Sequence, residues 1–300
     1  MILSVIIVNY KNEDMTVSFV LDELSKIAVS HNVVIVNNAA TCETDQVLSS
    51  KLKAEIVYEH REIKNRNSGV YVLHNDDNPG FAKANNDAVE FVRKNFNPNY
   101  LLFTNNDIKF IDTNVVEALI NKISVLPTTG IIGPKVIGLD GKLQSPEPFE
   151  TFYKRMIKPY LDPFFSWLPS CKSKSNYSDN AKEGVHYRVM GSFFLCNSSD
   201  YYDCGMMDPN TFLYFEECIL SERRKKIGKN VYYYPCVQVL HAHNQTIGKF
   251  TSFKKQRDYM FESGAYYFKN YKNVSSFYIR LAWIAKEITK VLGSIRRSLC

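Results

Sequence analysis

Across its 300 residues the chain has no uninterrupted apolar run approaching the ~20 residues of a membrane-spanning helix. Its first ten residues lack the charged start and small-residue cleavage site of a secretory leader, so a cytoplasmic location is expected. The seven cysteines (Cys42, Cys171, Cys196, Cys204, Cys218, Cys236 and Cys300) are odd in number and form no CxxC pair or metal knuckle. This argues against a disulfide scaffold or zinc ribbon and for reduced thiols, several of them in the core. Residues 9–14 (NYKNED) contain no glycine, so a glycine-rich phosphate loop does not follow the first apolar stretch. Nothing resembles a nucleic-acid-binding module or an internal repeat, and no nucleic-acid partner is expected.

What the chain does have is enough apolar material, 45% of residues, for one large domain or two smaller ones. Its charge is uneven. Residues 251–300 hold ten Lys or Arg against three Asp or Glu, a net +7, leaving about −1 for the first 250 residues. In that basic tail Phe277, Leu281, Ile284, Ile288, Val291 and Ile295 recur at steps of three and four, while Arg280, Lys286, Lys290, Arg296 and Arg297 fall mostly off that stripe. Two readings of this basic amphipathic helix stay open. It lies on an anionic membrane surface with Trp283 near its boundary, or it packs on the protein's own core.

Strand and helix patterns alternate through the first 140 residues. Apolar runs at 2–8, 33–36, 70–73 and 100–104 read as strands, and helical spacing appears at 16–28, with Asp14 as its cap, and at 81–96. Such alternation implies parallel strands joined by helical crossovers, hence a doubly wound α/β domain. From 139 to 185 no period survives and Pro, Ser, Lys and aromatics dominate, the texture of a lid or binding loop. Strands are expected again at 185–189, 192–196, 231–234 and 237–240, with a helix over 216–227 ending at Gly228.

Residues 100–107 (YLLFTNND) form a buried strand that ends abruptly in polar residues. Asp107 then sits at a carboxyl edge, where open α/β sheets bind ligands. Its carboxylate is suited to holding Mg2+ or Mn2+ against a diphosphate, or else it closes an Asx turn before a helix starting at Asp112. Glu216 and Glu217 open a helix, where acidic residues are favoured by the unpaired N-terminal peptide groups whether or not they act in chemistry.

Four segments carry a family resemblance: 4–10 (SVIIVNY), 78–86 (NPGFAKANN), 103–108 (FTNNDI) and 211–241. In order and spacing they resemble the family 2 glycosyltransferases of the GT-A fold, of the type that builds bacterial capsule, O-antigen and other surface polysaccharides. The resemblance spans roughly residues 2–245. It implies a Rossmann-like, mostly parallel sheet with helices on both faces. Residues 1–138 would form a nucleotide-sugar-binding half and 139–245 an acceptor-binding and catalytic half, followed by a helical C-terminal extension at 246–300. The implied reaction is inverting transfer from a UDP- or dTDP-sugar to a glycan or polyprenyl-linked acceptor, assisted by Mn2+ or Mg2+.

The resemblance also distributes roles. Asp107 matches the last carboxylate of the family's DXD-like motif, with Asn105 where a first carboxylate can stand and Asn106 between them. His241 would complete the metal shell, with His243 as a nearby substitute. Glu217 takes the place of the family's catalytic Asp, with Glu216 as orienting or acceptor-binding partner; the two could exchange roles. Asn9, Tyr10 and Asn37 would border the nucleotide base, Asn37 replacing a usual Asp. Asn78, Gly80, Phe81 and Lys83 would form the turn and helix start facing the phosphates. Gly191 would let an acceptor approach, and Trp167 would stack on it. Two other classes remain open at this stage: a sugar-phosphate nucleotidyltransferase, and a non-catalytic glycan-binding or membrane-scaffold protein that keeps the fold. A homodimer is compatible with all of them.

Overall fold

A computed structural model describes residues 2–58, 63, 69–165, 181–242 and 252–298, the side chains of 163–165 and 293–298 excepted. The chain forms one large sheet. Strands β1 (Leu3–Tyr10), β2 (His31–Asn38), β3 (Glu55–Val57), β4 (Val70–Asn75) and β5 (Tyr100–Thr104) lie parallel in the order β3-β4-β2-β1-β5. Beyond β5 the order continues β10 (Phe193–Asn197), β7 (Thr129–Gly138), β11 (Asn230–His241) and β6 (Ile108–Phe110). There β10 runs antiparallel to both its neighbours, β7 and β11 are parallel, and β6 is antiparallel to β11. Short β8 (Leu143–Ser145) pairs with β7, and β9 (Gly184–His186) with β11.

Side chains of successive strand residues point to opposite faces, so each apolar run feeds two cores. Val5, Ile7, Val33, Ile35 and Leu102 enter one cluster, and Ile6, Val34, Val36, Leu101 and Phe103 the other. Helix α3 (Phe81–Asn95) covers the second face through Ala82, Ala84 and Ala88, whose small side chains let its backbone come close to β1 and β2. Helices α2 (Cys42–Leu52) and α4 (Val115–Ser124) add Leu48, Leu52, Val116 and Leu119 to the first.

The expected helix at 16–28 is corrected. Only α1 (Glu13–Ser18) is regular, and the chain continues through a π turn at Phe19–Glu23 and a 3-10 turn at Leu24–Lys26. Asn12, not Asp14, stands at its N-cap; the Asp14 carboxylate pairs with Lys51 at 2.7 Å. The two closing strands expected at 231–234 and 237–240 are one strand, β11, whose pairing with β7 shifts register between Tyr234 and Gln238. Pro235 in this interval has no N–H to give the ladder, so the strand bulges rather than stops.

Within the irregular stretch the structure forms β8, a π turn at Tyr153–Ile157 and α5 (Lys158–Phe165). Helix α6 (Ser198–Asp203) follows β10, and α7 (Glu216–Lys226) precedes β11. Two last helices, α8 (Phe253–Tyr271) and α9 (Ser276–Ser298), share a third apolar cluster with α7 and the 153–160 segment: Met156, Phe215, Ile219, Phe261, Phe268 and Ala282. Among the described residues no helix is long and apolar enough to cross a membrane.

Candidate active site

Antiparallel pairing of β6 with β11 matches Ile108 with His241, so the residue before β6 meets the end of β11. That residue is Asp107. Its carbonyl accepts from Ala242 N at 3.0 Å, and its Oδ1 lies 3.4 Å from His241 Nε2. Both side chains are inaccessible, 6% and 3% exposed, and Oδ1 accepts no hydrogen bond. A buried carboxylate oxygen left without a donor is costly unless something cationic serves it. Gln144, carried in by β8, places Oε1 2.7 Å from His241 Nδ1. If that nitrogen carries the proton, Nε2 presents its lone pair toward Asp107, the arrangement by which an outer carbonyl orients a metal-binding imidazole. An oxygen and an imidazole nitrogen fit Mn2+ or Mg2+, with further ligands left to a substrate and water. Among the described residues no three His, Cys, Asp or Glu side chains cluster as a closed metal site.

Helix α7 begins with unusual backbone. Tyr214 and Phe215, neither of them glycine, have φ of +73° and +68°. Left-handed conformations cost ordinary residues about 1–3 kcal/mol each and persist only where packing insists on them. Here Phe215 is clamped against Tyr267 and Phe268 of α8, and Ser263 Oγ donates to Leu213 O at 2.8 Å. This turn aims two adjacent carboxylates differently. Glu216 is buried, and its Oε1 has no hydrogen-bond partner. Burial, reinforced by the charge on Glu217, pushes the Glu216 carboxyl well above its ordinary pKa, which keeps it protonated near neutrality. Glu217 is 23% exposed at its side chain, accepts from Gly191 N at 3.0 Å, and has Oε2 3.9 Å from Arg188 Nη1. Arg188 is itself paired with Glu147 across an isolated strand bridge.

A short bonded bridge joins the two acidic centres. Glu217 holds Gly191; the next residue, Ser192, accepts at its carbonyl from Asn105 N at 2.9 Å; Asp107 lies two residues further on. At Gly191 a β-carbon would collide with the Glu217 carboxylate, so the glycine is needed for the close approach of Glu217.

From Asp107 toward β4 the carboxyl edge of the sheet is wired by side chains. Asn106 Nδ2 donates to Thr16 Oγ1 at 2.8 Å, Thr16 Oγ1 to Asn9 Oδ1 at 2.7 Å, and Asn9 Nδ2 to Asn37 Oδ1 at 2.8 Å. Asn37 Nδ2 donates to Asp45 Oδ1 at 2.8 Å and to Thr44 Oγ1 at 3.1 Å. Asp45 Oδ2 contacts His74 Nδ1 at 2.6 Å, and His74 Nε2 contacts Asp76 at 3.0 Å. Burial works against a charge on His74, but its bonds and charge attraction to Asp45 and Asp76 prevail and raise its pKa. Asn9 and Asn37 are buried and spend their polar atoms within this row, which turns them away from the expected direct contact with a base.

Tyr10 stands at the end of β1 beside Asn38, with the Lys11 ammonium over its ring at 5.4 Å. Asn78 Oδ1 accepts from Gly80 N and from Asn38 Nδ2. Gly80, at φ +93°, lies against the next lobe: an added β-carbon would be 2.6 Å from Phe212 O, which already accepts from Phe81 N. Lys83, half-exposed, pairs with Asp87 one helical turn on at 3.0 Å. Trp167 and His243 lie outside the described residues. Sequence reasoning missed Thr16, Asp45, His74, Gln144, Arg188 and Ser192. Each meets its partner through the packing of separate elements, which no local pattern in the sequence signals.

The chain is similar in sequence and in fold to known glycosyltransferases. The sequence profile of Glycosyl transferase family 2 matches residues 4–167. The chain is 24% identical over 247 residues to the low-salt glycan biosynthesis hexosyltransferase Agl10 of Haloferax volcanii, covering 82% of this chain and 68% of that protein. In fold it is similar to S. aureus TarS residues 1–349, with a TM-score of 0.53 at 13% identity over 91% of this chain and 73% of the other. It is similar also to the mannosyltransferase PcManGT of Pyrobaculum calidifontis, solved with GDP-Man and Mn2+, at a TM-score of 0.57 and 12% identity over 99% and 79%. GalNAc-T7 with UDP, GalNAc and Mn2+ gives a TM-score of 0.55 at 18% identity, over 91% of this chain and 49% of that one. With its central sheet built as in these GT-A glycosyltransferases, and more than half its length matched by the profile, the chain belongs to glycosyl transferase family 2.

Proposed function

We propose that the protein transfers a hexose from a nucleotide diphosphate sugar, UDP- or dTDP-linked, to a hydroxyl of a glycan or polyprenyl-linked acceptor, with inversion. The observation that supports this reading is the bonded bridge from Glu217 through Gly191 and Ser192 to Asn105 and Asp107, which ties a carboxylate at one helix start to the Asp107–His241 pair. Asp107 and His241 would hold the divalent cation, which when bound neutralises charge growing on the departing diphosphate. Solved relatives containing Mn2+ with a nucleotide support the cation, and PcManGT and GalNAc-T7 support a nucleotide-linked donor.

Glu217 takes the proton from the acceptor hydroxyl. It is the accessible carboxylate of the pair, whereas Glu216 is buried and protonated and has no basic electron pair to offer at neutral pH. One base and no covalently attached sugar give a single displacement and therefore inversion. Arg188 stands behind Glu217 and positions it. Asn9, Asn37 and Asn106 support the donor edge indirectly through their shared row, leaving Tyr10 and the backbone of that edge to face the nucleotide.

Nucleotide release from UDP-, dTDP- and GDP-sugars with Mn2+ and an extracted lipid-linked acceptor is the test. Asp107→Ala should lower turnover by about 100- to 1000-fold, and Glu217→Gln by about 100- to 10,000-fold. Near-wild-type turnover in both variants would overturn the assignment.

A further inference from the structure

Helix α9 turns its large apolar residues outward. Its inward side is small or polar: Ala282 is fully buried, Lys286 is 8% exposed and pairs with Asp258, and Thr289 Oγ1 donates to Tyr160 O at 2.9 Å. On the outward side Phe277, Leu281, Ile284, Ile288, Val291 and Leu292 are between 41% and 64% exposed. The expectation that this stripe packs on the protein's own core is therefore excluded for these residues. Soluble surfaces rarely leave so long an apolar row uncovered.

We infer that this face is the docking surface for an anionic lipid bilayer, on which α9 lies flat. Charge chooses the occupant. Residues 251–300 carry a net +7, with only Asp258, Glu262 and Glu287 as acids, so the region that bears this face is attracted as a whole to acidic headgroups, while two copies brought together through it would repel. Arg280 and Glu287 flank the stripe, Glu287 pairing with Lys290 further round the helix at 3.2 Å, and exposed Trp283 lies on that same polar side. Insertion across the bilayer does not fit, since no 18-residue window of the described residues is apolar enough, although the helix is 23 residues long.

This surface also has a position that suits the proposed reaction, and to that extent it rests on that reading. Helix α9 packs on α5 and on the 153–157 turn. The same segment contributes Arg155, beside Phe149, Tyr187, Arg188 and Phe215, to a hollow next to the α7 start. A bilayer under α9 would therefore lie near the part of the molecule that carries the α7 start.

The full-length protein should co-sediment with vesicles of 30% phosphatidylglycerol in phosphatidylcholine at least tenfold better than with phosphatidylcholine alone, and less well as salt is raised. Leu281→Glu/Ile284→Glu/Ile288→Glu, placed entirely on the exposed face, should lose at least tenfold in vesicle binding with an unchanged melting temperature. Arg280→Glu/Lys290→Glu should lose the preference for phosphatidylglycerol. Undiminished binding by the triple variant would overturn the inference. So would a wild type that ignores vesicles and forms a dimer the triple variant dissociates, because the face would then join two copies. Nucleotide release measured in the same samples with a water-soluble acceptor separates the two readings: binding intact without any release removes the proposed reaction and leaves the docking surface standing.

Discussion

Along the ends of β5, β1, β2 and β4, polar groups are held by a row of mostly neutral amides and hydroxyls, Asn106, Thr16, Asn9 and Asn37, that ends in the Asp45, His74 and Asp76 group. Around the start of α7 the polar groups are ion pairs in apolar surroundings, Glu217 near Arg188 and Arg188 against Glu147, beside the buried carboxyl of Glu216, which burial keeps neutral. The first edge is set by the sheet, Asn9, Asn37, His74 and Asn106 standing at or just past strand ends, with Thr16 and Asp45 supplied by α1 and α2. The second is set by a turn in left-handed backbone that α8 must press into place. A preformed row tolerates the loss of one member better than a pressed turn tolerates an intrusion, because in the row each group keeps other partners.

Gly191→Ala is the sharpest way to test that contrast. The added methyl must displace the Glu217 carboxylate, and a shift of about 1 Å should cost turnover roughly 100-fold, with the KM for donor little changed. If turnover is retained, the α7 start is more compliant than its packing indicates. A smaller effect is expected from His74→Gln. Because the folded-state pKa of His74 is raised, its charged form contributes stability that is fully present below about pH 6.5, the unfolded value, and is lost as pH climbs through the folded value. Urea midpoints for the wild type should therefore decline over that window above pH 6.5, and the variant should remove this part of the slope. The smallest effect should come from Glu216→Gln. It replaces an already neutral acid by a neutral amide, so activity at pH 7 should stay within a few-fold, and the stability lost as pH rises through the raised Glu216 pKa should disappear. Activity falling as far as in Glu217→Gln would exchange the roles of the two residues.

Much of the fold was legible because buried parallel strands are near-continuous apolar runs, as at 33–36 and 100–104. Strand β7 escaped notice since Gly130, Gly133 and Pro134 read as turns, yet it is buried between β10 and β11. At the site, Asp107 could be located from its strand, and its meeting with His241 follows from the β6–β11 register, which no local pattern announces. The Asp45–His74 contact and the Arg188–Glu147 pair are likewise products of tertiary assembly. In the last helix the period was legible, but its direction was not: which side of an amphipathic helix faces inward depended on the small residues Ala282 and Ala285 between the large ones.

The clamp on Phe215 has a consequence for dividing the molecule. The rings that hold the left-handed turn belong to α8, far beyond the end of the matched profile at residue 167. A fragment cut after His241 would keep every described strand and both side chains proposed to hold the cation, with Gly191 and Arg188 still beside Glu217, yet the turn that aims this carboxylate would lose its clamp. Such a fragment is a means of separating capture of the sugar nucleotide from its consumption.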